Sequence, residues 1–224
     1  MNTLVKAVNI GSLGRGNEWL FKDINLEVNA GEIVVIFGGV DSGKSRLAEI
    51  LSGCRKPGQG WIERYGPAAL ATQEFTLYKD LTVEENLEFI RAINDGRSSD
   101  LAEIEALTGL NGRERAKARE LPVGLRKMLQ AAGAVVRGTP LLVFDEPCAG
   151  LDRELQRKFR RLAESLAEAG RGVIILTNQL GEAIPSARVF SLTKKGLAGV
   201  AEAEKAHDGG LTNESRGWTE WHEG

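Results

Sequence analysis

"IFGGVDSGKSRL", residues 36–47, crowds small residues around a single lysine directly after a β-branched run. Glycine costs backbone entropy, so such a cluster needs a reason. The spacing is G-x-x-x-x-G-K-[ST], with Gly38, Gly43, Lys44 and Ser45 in the defining places. In that arrangement the backbone N–H groups of Gly38, Gly39, Val40, Asp41, Ser42 and Gly43 curl around a polyphosphate. The lysine reaches the outer phosphates and the serine hydroxyl holds Mg²⁺. A tight strand-to-helix turn with a surface lysine is the alternative that the rest of the chain has to exclude.

"TPLLVFDEPCAGLD", residues 139–152, supplies the second half. Four apolar residues predict a buried strand, and Asp145 and Glu146 emerge at its C-terminal end, where open α/β sheets bind ligands. An aspartate there can hold Mg²⁺ through water beside Ser45. A glutamate next to it can orient or deprotonate a water aimed at the γ-phosphate. The residues after a later strand read "TNQL", 177–180, without the lysine and aspartate of a guanine-reading Asn-Lys-x-Asp. ATP is therefore favoured over GTP.

Short apolar runs at 33–37, 68–72, 141–144, 173–176 and 188–192 predict strands buried on both faces of a mainly parallel sheet. Between them lie helical patterns. Residues 152–169 place Leu155, Phe159, Leu162 and Leu166 on one stripe, with Asp152 as N-cap and Gly170 as stop. "RLAEILSG" reads as the helix after the phosphate loop, ended by Gly53. "TLVKAVNI" and "WLFKDINLEV" predict two antiparallel strands joined by a flexible loop, "GSLGRG". Thr82 and Glu85 form a capping-box pattern that opens a charged, helical stretch. Residues 74–131 read as a helical insertion. The polar, Gly-rich tail, 201–224, is expected to be loosely held, with Trp218 and Trp221 as its large apolar groups, placed to dock on the domain or on a partner.

The 224 residues carry 29 Lys and Arg against 31 Asp and Glu, a formal net charge of −2, which gives no support for nucleic-acid binding. Two cysteines and two histidines fit neither a disulfide framework nor a buried zinc site. The N-terminus lacks a signal-peptide core, and no apolar run is long enough to span a bilayer. A cytoplasmic compartment is the simplest reading, with any membrane association made peripherally through a partner.

Taken in order, these motifs resemble an ABC-type ATPase over about residues 1–200. "DEPCAGLD" is close to the family's D-E-P-x-x-G-L-D, "FKDINLEVNAGEIVVIFG" is similar to its opening strands, and "ATQEFTLYKDLTVEENLEF" resembles its glutamine loop. The resemblance implies an α/β P-loop NTPase fold: a RecA-like core with an N-terminal antiparallel β subdomain and a helical subdomain insertion. It implies Gln73 as a Mg²⁺ contact beside Ser45 and Asp145. It also implies head-to-tail dimers, with ATP between one chain's phosphate loop and the other's signature segment, and in most members coupling to transmembrane transporter subunits.

The chain departs from the family in four places. The signature, normally close to L-S-G-G-Q, reads Leu121, Pro122, Val123, Gly124, Leu125. Pro122 has neither a side-chain hydroxyl nor an N–H, and Val123 adds bulk. The switch histidine is replaced by Asn178, which can hydrogen-bond a phosphate but cannot carry a proton. Arg46 follows Ser45 where a threonine is frequent. The adenine-stacking aromatic aligns near Arg15, whose guanidinium plane can stack, with Trp19 as the nearest aromatic. Lys44, Ser45, Gln73, Asp145 and Glu146 preserve the chain's own hydrolytic half-site. Two function classes follow. One is a slowly hydrolysing ATPase subunit that energises a membrane transporter, paired with itself or with a different ATPase subunit. The other is an ATP-dependent dimerisation switch in a non-transport assembly. A DNA-repair ATPase fits poorly, because residues 74–125 are too short for its coiled-coil insertion.

Overall fold

The computed structural model describes residues 2–14, 16–73, 77–94, 101–179 and 184–199. Two sheets share the molecule. Strands β1 (Thr3–Leu13), β2 (Trp19–Asn29) and β4 (Gln59–Arg64) form an antiparallel sheet in the order β2-β1-β4. The larger sheet runs β5-β6-β7-β3-β8-β9, from β3 (Ile33–Phe37), β5 (Ala68–Ala71), β6 (Leu141–Asp145), β7 (Gly172–Thr177), β8 (Arg188–Thr193) and β9 (Gly196–Gly199). Its pairings are parallel except for β8 with β9.

Helix α1 (Lys44–Ser52) follows β3. Helices α2 (Val83–Ala92), α3 (Leu101–Thr108) and α4 (Val123–Val136) lie between β5 and β6, and α5 (Arg153–Glu168) joins β6 to β7. The caps formed as their residues require. Thr82 accepts the Glu85 N–H at 3.1 Å while the Glu85 carboxylate accepts the Thr82 N–H at 2.7 Å. Asp152 accepts the Leu155 N–H at 2.9 Å to start α5, and Gly170, at φ 81°, follows its end.

The central strands are buried on both faces, which is why they read as unbroken apolar runs. Along β3, Ile33 and Val35 join Phe144, Leu129 and Phe159 on the side of α4 and α5. Val34 and Ile36 join Leu47, Ile50, Phe21 and Ile24 on the side of α1 and the antiparallel sheet. The alternation is the two-residue period of a strand. The β3 run occupies the predicted residues without change.

The glycine-rich hairpin is a correction. Gly11, Ser12 and Leu13 belong to β1 rather than to a loop, and Leu13 pairs with Trp19. A Cβ on Gly11 would sit 2.9 Å from the Trp19 ring, so this glycine admits a close ring contact within a strand. Strands β4 and β9 also went unpredicted. The tail, 201–224, with Trp218 and Trp221, lies outside the described residues.

Candidate functional site

Three parallel strands deliver the site. β6, β7 and β3 are adjacent, with Phe37 level with Thr177 and Asp145 level with Leu176, so they finish along one edge. From Phe37 the chain turns through residues 38–43 into α1. The Gly38 N–H donates to the Thr177 carbonyl at 3.0 Å and pins the start of that turn to β7. Asp41 and Gly43 are left-handed, at φ 59° and 93°. Left-handed residues set among ordinary ones are the backbone pattern of an anion-binding nest. At Gly43 only glycine fits, because a Cβ would also meet the Phe21 ring at 3.0 Å. Ser42 Oγ is buried without a hydrogen-bond partner, and Val40 stands 80% exposed.

Lys44, in the first turn of α1, is buried. Its Nζ donates to the carbonyls of Gly38 and Gly39, each at 2.8 Å, and lies 3.3 Å from Glu146 Oε1. The ammonium thus closes the loop in which a polyphosphate would sit.

Glu146 is buried and left-handed, at φ 51°. A non-glycine residue there carries strain on the order of 1–3 kcal/mol. Its N–H donates to the Leu176 carbonyl at 2.8 Å. Its Oε2 accepts from the Asn178 N–H at 3.1 Å and from the Thr177 hydroxyl at 3.4 Å. The turn therefore sends the carboxylate back over the strand ends, toward Lys44.

Asp145 is buried, and its Oδ1 has no hydrogen-bond partner. Burial pushes its carboxyl above the ordinary aspartate range. Hydrogen bonding to Ser45 and to Gln73 pulls the other way, the charge of Glu146 adds to the rise, and Lys44 opposes it. An orphaned carboxylate oxygen beside a hydroxyl and an amide is an all-oxygen donor set of the kind Mg²⁺ takes, so these three residues fit that ion.

The structure thus gathers Lys44, Ser45, Gln73, Asp145 and Glu146 at one edge, with Asn178 joining through its backbone N–H. Arg46 instead pairs along α1 with Glu49 at 3.7 Å. Trp19 is partly exposed at the start of β2, and Arg15 lies outside the described residues. The segment Leu121–Leu125 leads into α4: Pro122 is its N-cap residue without a side-chain cap, Val123 is exposed, and Gly124 faces Leu155 of α5.

Motif spacing missed three contributors. Thr177 supports Glu146 from the next strand. Gln130 of α4 donates to the Thr72 carbonyl at 3.0 Å, and Lys127 of α4 reaches the carbonyls of Glu146 and Ala149. The two α4 residues carry one sequence signal, a polar side chain within an otherwise largely apolar helix.

Comparison with known proteins gives the family and the fold. The chain is 35% identical over 166 residues to the cytochrome c biogenesis ATP-binding export protein CcmA of Novosphingobium aromaticivorans, covering 74% of this chain and 84% of that protein. It is 32% identical over 167 residues to the thiamine import ATP-binding protein ThiQ of a Chelativorans species, covering 68% of each. Among solved structures, cbiO1 of Clostridium perfringens, part of the ABC transporter complex cbiONQ, superposes with a TM-score of 0.76 at 22% identity over 92% of both chains. A dimeric bacterial ABC transporter cassette gives 0.76 at 23% identity, over 87% of this chain and 96% of that one. These last two show the fold, a P-loop α/β core with its antiparallel β and helical additions. The family model described as ABC transporter matches residues 21–149, and the chain belongs to that family as an ATP-binding subunit with ATPase chemistry.

Proposed function

We propose that this chain energises a membrane transporter by binding Mg-ATP at the Lys44–Glu146 edge, closing against a second ATPase subunit and hydrolysing the nucleotide slowly. The observation that carries the reading is the buried Lys44 ammonium, held between two loop carbonyls and the Glu146 carboxylate. A polyphosphate entering the loop offers denser negative charge than those carbonyls, so the lysine exchanges its contacts for phosphate oxygens. Glu146, released from the ion pair but still held by the Asn178 N–H, then accepts a proton from the attacking water. Ser45, Gln73 and Asp145 would hold Mg²⁺, which supplies charge neutralisation on the phosphates. Asn178 offers the γ-phosphate a neutral amide where a histidine could carry charge, and this supports slow turnover.

The membrane partner is assigned to the surface formed by Tyr78 and α2. Tyr78 packs edge-on against Phe89, with ring centroids 4.8 Å apart, and Ile93 lies one turn further along, 60% exposed. Phe75, the other aromatic of this stretch, lies outside the described residues. Among the described residues no helix is long and apolar enough to cross a membrane.

The relatives include an export protein and an import protein, so likeness does not choose a direction of transport. The uncapped Pro122 and exposed Val123 favour a second reading, an ATP-dependent dimerisation switch with little turnover. Affinity purification of this chain from solubilised membranes separates the two. A membrane-spanning partner that stays bound supports the transporter reading. Recovery of the chain with soluble partners alone supports the switch.

A further inference from the structure

Lys127 and Gln130 stand three residues apart on α4 and so share one face of the helix. That face meets both loops of the site. Gln130 is buried and donates to the carbonyl of Thr72, the residue before Gln73. Lys127 donates to the Ala149 carbonyl, and its Nζ lies 3.5 Å from the Glu146 carbonyl. A small cavity lies between them, lined in part by Thr72, Lys127, Gln130, Asp145 and Glu146.

The backbone of Glu146 needs such a hold. β6 ends at Asp145, so the Glu146 carbonyl has left the sheet ladder. The next residue is a proline, Pro147, with no N–H to fix the turn. Among the described residues the one backbone donor on that carbonyl is the Ala149 N–H, at a long 3.4 Å. Lys127 adds a charged donor shared between the first and last carbonyls of the turn. Without it, Glu146 can relax from its left-handed conformation to an ordinary one, and that rotation swings the carboxylate away from Lys44 and the Asn178 N–H.

We infer that Lys127 is a positioning residue for Glu146: its ammonium clamps the 146–149 turn from α4 and keeps the carboxylate aimed at the nucleotide. The inference rests on reading Glu146 as the general base. It also links the helix that carries the signature to the reacting end of the site, because any movement of α4 moves Lys127 with it.

The test uses the full chain with Lys127→Met, which keeps the aliphatic stem and removes the charge, and Lys127→Arg, which keeps the charge. Single-turnover hydrolysis at saturating Mg-ATP is measured with the protein in excess, alongside equilibrium Mg-ATP binding. Lys127→Met should slow the chemical step tenfold or more while Mg-ATP binds at least as tightly as to the parent, since Lys44 and its loop are untouched and lose only the Glu146 counter-charge. Lys127→Arg should recover most of the rate. A Lys127→Met chain at the parental rate, a parallel loss of rate and binding, or a defect that arginine fails to correct would each overturn the clamp. Glu146→Gln is run beside them. Loss of turnover there with a normal Lys127→Met chain removes the clamp alone. Parental turnover in Glu146→Gln removes the general-base reading, and the clamp with it.

Discussion

Lys44 and Glu146 form a buried ion pair across the end of the sheet, Nζ to Oε1 at 3.3 Å, with the two side chains 7% and 5% exposed. The pair joins the phosphate loop after β3 to the turn after β6. Under the proposed mechanism Glu146 would have two successive duties, counter-ion to the lysine before nucleotide binds and base toward water afterwards. Glu146→Gln separates them. The amide keeps the hydrogen bond from Asn178 but leaves Lys44 without its counter-charge, so the nucleotide-free protein should lose stability. Phosphate then supplies the missing charge. We expect ATP affinity to rise a few-fold and hydrolysis to fall by about 10²–10⁴, the usual worth of a general base. Melting curves with and without Mg-ATP, and a turnover assay, check all three. A larger ATP-induced rise in Tm than in the parent is the distinguishing result.

Lys44→Ala tests the other half. It removes a charged donor to the outer phosphates, worth about 1.5–3 kcal/mol, so ATP affinity should fall about 10- to 100-fold. It also leaves Glu146 buried without a counter-charge, so apo stability should fall too. Isothermal titration reads the first effect and thermal unfolding the second. Unchanged affinity would remove Lys44 from the phosphate site.

The legible parts of this site are those whose chemistry is packed into one short stretch. Gly38 to Ser45 form a local turn, and Asp145–Glu146 end a strand, so both can be found by spacing. The same holds for the Thr82 and Asp152 caps, whose partners lie three residues away. Lys127, Gln130 and Thr177 act across 19 to 58 residues of chain and have no spacing to detect. β4 was hidden because its sequence, "QGWIER", is mostly exposed, and β9 because "GLAG" lacks strand formers. Gly11 misled for the opposite reason: its lack of a side chain looked like a loop signal, whereas it makes room for Trp19.

Asp145 predicts a trade between stability and function. Its carboxyl is pushed up chiefly by burial, so the native state holds a proton more tightly than the unfolded chain does. Below the unfolded value, about 3.9, the group is neutral in both states and imposes no penalty. As pH rises toward and through the raised native value the penalty grows, and it is complete above that value. Asp145→Asn should therefore raise the Tm of the nucleotide-free protein at neutral pH. The gain should vanish on acidification below the ordinary aspartate range. Added Mg-ATP should reverse the order, because ligand at about 100 times its Kd stabilises the parent by about 2.7 kcal/mol and the variant would lack the proposed metal ligand. Melting curves at several pH values, with and without Mg-ATP, test each part.

The signature segment carries the final prediction. In a head-to-tail homodimer both nucleotides would be closed by Leu121–Leu125, where Pro122 has removed a hydroxyl and a backbone N–H. Each lost charge-assisted hydrogen bond to a phosphate costs on the order of 1.5–3 kcal/mol, though neighbouring losses seldom add fully. The isolated chain should therefore stay largely monomeric with Mg-ATP and turn over slowly, and a different ATPase subunit with an intact signature would close its Lys44–Glu146 edge. The structure also limits how the segment can be repaired. Leu125, on the buried face of α4, joins the core, so a glutamine there would bury an amide and cost stability. Gly124 already packs against Leu155 and should be left alone. The repair is then Pro122→Ser with Val123→Gly. Serine at the N-cap can accept an N–H from the first turn of α4, worth about 0.5–2 kcal/mol. Glycine inside the helix gives back about 1 kcal/mol, so net stability should change little. Self-association with Mg-ATP should rise, and sedimentation of the parent and the repaired chain, each with and without nucleotide, measures it. A parent that already dimerises tightly with Mg-ATP would show that Pro122 and Val123 still close the site, and the argument for a different partner subunit would fail.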